Sequence, residues 1–142
     1  MTALTIAVVD DEDDVNAALA IRREVFCSEQ GVDEAEEIDG LDSECSHYLA
    51  RLAGEAVGTA RTRLLAEGGG VKIERVAVLK SLRGRGIGKA LMIRALADIT
   101  VGPAVLNAQL QVESFYARLG FIARGEIFQE AGIDHVRMVK SI

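Results

Sequence analysis

The stretch Lys72–Asp98, KIERVAVLKSLRGRGIGKALMIRALAD, decides the fold of this chain. Lys72 to Leu79 carries Ile73, Val76, Val78 and Leu79, an apolar and largely β-branched run of strand length. The strand cannot continue through Leu82-Arg83-Gly84-Arg85-Gly86-Ile87-Gly88, where three glycines at alternate positions permit positive φ and close backbone approach. From Ile87 the period becomes helical, with Ile87, Leu91, Ala95 and Ile99 four residues apart. A glycine-rich turn that feeds a helix N-terminus leaves backbone N–H groups without partners and aims them at one point. The helix dipole adds to that potential, so the turn is an anion site. Arg83, Arg85 and Lys89 surround it with cations, which selects phosphate or pyrophosphate. Two common phosphate loops do not fit. A Walker loop needs Ser or Thr after Gly-Lys, and Gly88-Lys89 is followed by Ala90. The dinucleotide fingerprint needs a third glycine where Lys89 stands.

The pattern that does fit is R-x-x-G-x-G, Arg83 to Ile87 with Gly88 following, directly after the Val76-Ala77-Val78 strand. It resembles the acetyl-CoA pyrophosphate loop of the GCN5-related N-acetyltransferases, the GNAT family. Farther on, Phe115-Tyr116-Ala117-Arg118-Leu119-Gly120-Phe121 resembles that family's second signature, F-Y-x-x-L-G-F. Arg22-Arg23-Glu24-Val25-Phe26, followed by Glu29-Gln30-Gly31-Val32, resembles the R-x-x-V-F-x-x-E-Q-G-V run of its ElaA-like branch. The tail from Gly125 to Met138 resembles the same branch, so the likeness extends from Arg22 to Met138. The resemblance implies an α/β fold with one mixed, mostly antiparallel sheet of six or seven strands and helices on both faces. It implies a splayed pair formed by Lys72–Leu79 and Val105–Ala108. It also implies acetyl-CoA as cosubstrate, with its pyrophosphate on Arg83, Gly84, Arg85, Gly86, Ile87, Gly88 and Lys89. The pantetheine arm would run along the backbone of Val76, Ala77 and Val78. Members of the family often carry Asn seven residues before the tyrosine as a cofactor contact; here that position is Gln109, the same amide on a longer arm.

Composition sets wider bounds. The chain of 142 residues is 49% hydrophobic, which suits one domain over residues 1–142 with one core. A net charge of −6 argues against nucleic acid as the partner. No apolar run reaches membrane-spanning length and no basic-then-apolar leader opens the chain, so the expected location is cytoplasmic, off the membrane. Cys27 and Cys45 lack the spacing of a metal or redox pair and read as buried thiols; no metal is expected. Charge is unevenly placed. Glu24 to Ala50 holds nine acids and no Lys or Arg, whereas Lys72 to Arg94 holds seven cations and one acid. That polarity suits a protein joining an anionic cofactor to a cationic amine, and it equally suits an acidic loop that is merely soluble.

Along the chain, Leu4–Val9 reads as a first strand. A helix follows from an N-cap among Asp10–Asp14, with Val15, Leu19, Arg22 and Phe26 on one face and Gly31 at its end. Asp33–Glu44 is an acidic loop or short helix on the acceptor side. His47–Leu52 and Val57–Leu65 form a hairpin across Ala53–Ala56. Gly102-Pro103 ends the long helix, Val105–Ala108 is a buried strand, and Val112–Leu119 a helix. Two last strands meet at Ala131-Gly132.

Moving an acetyl group to an amine requires a polarised thioester, a neutral amine, a protonated leaving thiol and fixed positions. By resemblance Tyr116 is the general acid; a phenol of pKa about 10 is nearly matched to a thiol of about 8.5. Its other reading is a core tyrosine beside Phe115 and Phe121. An alkyl amine of pKa about 10.4 needs about 4.6 kcal/mol to be freed at pH 7, so a base or water chain is needed. Glu74 on the central strand is the best carboxylate, and His47 and His135 are the only imidazoles; ordinary strand roles stay open for all three. Glu29 and Gln30 fall where the branch resemblance places an acceptor wall. The acceptor is a small-molecule amine or a protein lysine, and the family implies a homodimer through Ile127–Met138. A non-catalytic acyl-CoA sensor on the same fold is the alternative.

Overall fold

In the computed structural model, which describes residues 3–142, the elements alternate as the hydrophobic periods require. The strands are β1 (Leu4–Val9), β2 (Ser46–Leu52), β3 (Glu55–Leu64), β4 (Val71–Val78), β5 (Ala104–Gln109), β6 (Ile122–Glu130) and β7 (Ile133–Lys140). The helices are α1 (Glu12–Arg22), α2 (Glu34–Glu37), α3 (Ile87–Asp98) and α4 (Glu113–Arg118), and α1 runs on as π-helix over Arg23–Glu29. Seven strands form one sheet in the order β1-β2-β3-β4-β5-β7-β6. Every neighbouring pair is antiparallel except β4–β5.

Alternation along the strands divides the core. Tyr48, Ala50 and Val57 pack with Ile87, Leu91 and Ala95 of α3. Ile73, Leu106 and Met138 continue that face beneath Met92, Tyr116 and Phe121. On the opposite face Leu49 and Ala77 meet Ala18, Ile21 and Val25. The buried α1 face keeps Arg22 of the expected set, but Ala18 and Ile21 take the places of Val15 and Leu19. Small Ala18 lets the helix lie close to the sheet, and the wider π turn shifts the phase of the residues that follow. The first hairpin turn is tighter than the expected Ala53–Ala56, and the last lies at Ala131-Gly132 as expected. Ala53 and Gly54, and likewise Ala131 and Gly132, have positive φ, the two-residue turn that matches strand twist.

The parallel pair is where the sheet opens. β4 and β5 are in register only at Val71–Ala104 and Lys72–Val105. Gly70 pins that end: a Cβ there would stand 1.9 Å from the Pro103 carbonyl oxygen, and the Val71 amide donates to that oxygen at 2.9 Å. Beyond Lys72 the strands part. On the other edge of β4, Arg75 and Val76 together oppose Ala60 in a β-bulge, with Arg75 at φ 56°. Leu79 donates to the Val57 carbonyl of β3, so by alternation the amides of Val78 and Val76 point into the gap.

The acidic stretch forms the expected short helix and loop, and its carboxylates are paired with buried arginines. Arg22 and Arg61 are each 1% exposed, and Glu37, Asp39 and Asp42 fold over them. Glu37 accepts from Arg22, Asp42 bridges Arg22 and Arg61, and Asp39 pairs with Arg61 and Arg75. Buried charges must be paired, and the cations come from α1, β3 and β4, far outside the acidic segment.

Candidate active site

A cleft of about 980 Å³ runs from the α3 N-terminus, through the gap between β4 and β5, to the β6–β7 turn. Its two ends have different chemistry. At the cofactor end, Gly86 caps α3 in the left-handed region, at φ 80°, and no side chain caps the helix. The first amide bonded back into the helix is Ala90, to the Gly86 carbonyl, which leaves the amides of Ile87, Gly88 and Lys89 outside the helical ladder. Open space stands over Gly84 and Gly86. Ile87 contributes only its backbone, since its side chain is buried under α3. Free amides and open space at a helix N-terminus fit a phosphate group. Lys89 lines the cleft, is exposed and has no ion-pair partner among the described residues. Arg85 is also exposed but lies outside the lining.

Arg83 differs from the expected phosphate ligand. Its Nη1 and Nη2 donate to the two carboxylate oxygens of Glu29 at 2.6 and 2.7 Å, and its Nε donates to the Val78 carbonyl at 3.0 Å. The hydrogen bond from Arg83 holds the Glu29 carboxyl below its ordinary pKa. Arg83 is thus a strut that ties the π-helix to the loop. The next residue makes a second tie: Gln30 and Gln109 exchange amide hydrogen bonds of 3.2 and 2.9 Å, and Gln111 donates to Gln109. The amide of Gln109 therefore reaches across the mouth of the gap to the π-helix.

Midway, Val76, Ala77 and Val78 form one wall and Tyr116 faces them. Tyr116 stands edge-on to Phe115 and Phe121, with ring centroids 5.0 and 6.1 Å away. Burial pushes its pKa up to about 12, so the phenol is protonated at neutral pH. Tyr116 thus both packs in the core and lines the cleft.

Of the three candidate bases, the structure rearranges the order. Glu74 lines the cleft, but Arg63, Arg61 and Lys72 stand within 3.0, 3.4 and 3.4 Å of its oxygens. Burial raises its pKa, and the hydrogen bond from Arg63 with the charges of Arg61 and Lys72 outweighs that to lower it. Three cations make it a weak proton acceptor and a strong brace for the cleft floor. His47 is a correction. It is buried outside the cleft lining, with Nε2 2.8 Å from the Asp42 carbonyl, because the acidic segment covers its face of β2. His135 is the imidazole that lines the cleft, beside Glu130. Glu130 escaped the sequence reading, although the two-residue turn at Ala131-Gly132 holds the signal for it. That turn pairs Phe128 with His135 and Glu130 with Ile133, which sets Glu130 and His135 on one face.

Comparison with known proteins identifies the family and the fold. The profile of the acetyltransferase (GNAT) domain matches residues 8–142. The uncharacterized N-acetyltransferase YjcF of Bacillus subtilis is 37% identical over 137 residues, spanning 94% of this chain and 96% of its own. An acyl-CoA N-acyltransferase from Pseudomonas aeruginosa superposes with a TM-score of 0.82 at 30% identity, covering 99% of this chain and 100% of the other. ElaA of Escherichia coli superposes with a TM-score of 0.84 at 29% identity over 99% and 100% of the two chains.

Proposed function

The chain belongs to the acetyltransferase (GNAT) family and is an N-acetyltransferase, and from that premise we propose that it moves the acetyl group of acetyl-CoA directly onto a primary amine. The observation that carries this reading is the single cleft joining an uncapped helix N-terminus, a strand edge with free amides and a buried phenol. The α3 amides and Lys89 would hold the pyrophosphate. Val76 and Val78 would bond the pantetheine arm, and an amide near the Arg75 bulge would face the thioester oxygen. The amine nitrogen attacks the carbonyl carbon, a C–N bond forms and the C–S bond breaks. Tyr116 gives its proton to the departing sulfur. With a pKa pushed up to about 12, that donation is more uphill than from a free phenol, so proton transfer and C–S cleavage must proceed together.

Glu29 and Gln30 would frame the acceptor entrance. A cytoplasmic homodimer through the β6–β7 edge, where Ile122 and Ile127 are 56% and 59% exposed, completes the reading. Sedimentation at high concentration checks it: a monomer throughout excludes the dimer. The function is tested by thiol release from acetyl-CoA against small amines, amino sugars, polyamines and lysine peptides. Turnover with at least one of them is expected. Tight acetyl-CoA binding with no turnover across the whole set would favour the sensor.

A further inference from the structure

We infer that His135 is the base that takes the proton from the acceptor ammonium, and that Glu130 is a positioning residue acting through it. The inference rests on the amine acetyltransferase reading above.

The ring is fixed on three sides. His135 lies on β7 between Gln109 of β5 and Phe128 of β6, and it is 6% exposed. It stacks on Phe128 with centroids 5.9 Å apart and an interplanar angle of 25°. Its Nδ1 is 2.7 Å from the Ile133 carbonyl oxygen. A carbonyl can only accept, so Nδ1 carries the hydrogen of the neutral ring and Nε2 keeps its lone pair. The proton-accepting nitrogen is therefore the one that the backbone contact leaves unused. Glu130 stands just beyond it, with Oε2 3.7 Å from Nε2. A carboxylate at that distance can orient the Nε2 edge of the ring. Asn107 Nδ2 donates to Glu130 Oε1 at 3.3 Å and steadies the carboxylate. Glu130 is the charged group within ion-pair reach of the ring, and Gln109 opposite is neutral. His135 and Tyr116 both line the cleft, so acid and base serve one substrate pocket.

Proton balance follows. The ammonium gives one proton to Nε2, and the freed amine attacks the thioester carbon. The second nitrogen proton, lost as the amide forms, replaces the one that Tyr116 gave to sulfur. His135 returns its proton to solvent. The products are the N-acetyl amine and the free thiol of CoA.

The test compares His135→Gln with wild type on two amines at pH 7: an alkyl amine of pKa about 10.4, and a weakly basic amine such as a hydrazide that is already neutral. Loss of a general base should lower kcat/KM for the alkyl amine by about 10²–10⁴-fold. The neutral amine should lose about tenfold or less, and added imidazole should restore part of the alkyl-amine rate. CoA affinity by calorimetry should stay at the wild-type value, which separates the effect from misfolding. Glu130→Gln should show the same dependence on amine basicity with a smaller loss. Equal losses on both amines, or none, overturn the assignment while the acetyltransferase reading stands. If His135→Gln does not fold, Glu130→Gln and wild-type rates across an amine series decide: a loss in Glu130→Gln that is independent of amine pKa overturns it. Absence of turnover by wild type on every amine overturns both readings.

Discussion

Tyr116 does two jobs that a single substitution can separate. Its ring packs between Phe115 and Phe121, and the residue lines the cleft with burial alone raising its pKa. Tyr116→Phe keeps the packing and removes the proton. Turnover should fall by about 10²–10⁴-fold while CoA affinity changes little. The loss should shrink with an acetyl thioester of a more acidic thiol, whose anion departs with less help. Equal turnover by Tyr116→Phe and wild type, with chemistry rate-limiting, would rule Tyr116 out as the acid. His47 and His135 show the limit of residue-level reading. Both are histidines on strands, and only the packing partner of each strand face sends one under the acidic segment and the other into the cleft.

At the scale of elements, the loop before α3 joins backbone geometry to electrostatics. Gly86 holds φ 80° at the N-cap, a conformation that costs a side-chain-bearing residue about 1–2 kcal/mol and that branched residues tolerate worst. The space over it is open, so no clash arises in the free protein. Gly86→Val should leave the protein folded and abolish CoA binding, read by circular dichroism and calorimetry. Retained affinity would sink the phosphate-loop assignment. The strut between Arg83 and Glu29 belongs to the same scale. If Arg83 shapes the loop through Glu29, Arg83→Ala and Glu29→Ala should each weaken CoA binding, and the double variant should be no worse than the more impaired single. Additive losses would instead return Arg83 to a separate, direct phosphate contact.

For the molecule as a whole, the ion-paired layer between the acidic segment and the sheet links stability to pH. The hydrogen bond from Arg61 holds Asp39 well below the usual carboxylate range. Burial raises Asp42 and Glu74, but their arginine partners reverse the sign and leave both lowered. A carboxyl with a depressed pKa stabilises the fold at pH values above its unfolded pKa, about 3.9 for Asp and 4.3 for Glu, and that contribution is lost as pH falls through the folded value. Denaturant midpoints should be flat from pH 7 to about 5 and drop steeply below about 4. A midpoint that stays level to pH 3 would show that these pairs contribute nothing. The same layer revises the role of the acidic segment: Glu37, Asp39 and Asp42 clamp it to α1, β3 and β4.

What the sequence by itself determined is whatever depends on local period and local backbone need. The β-branched run of Ile73, Val76 and Val78, the four-residue spacing of Ile87, Leu91 and Ala95, and the glycines at 84, 86 and 88 specify strand, helix and anion loop without reference to the rest of the chain. The family signatures at Arg83–Gly88 and Phe115–Phe121 then imply the sheet and its splay, and the structure has both. Only the tertiary structure decided which long side chains meet. Arg22 is buried against Glu37, Glu29 is spent on Arg83 across 54 positions, Gln30 meets Gln109 across 79, and three cations converge on Glu74. The physical reason is that an ion pair or amide pair depends on where charged and polar ends are brought together in space. The hydrophobic pattern that sets the fold does not encode that placement.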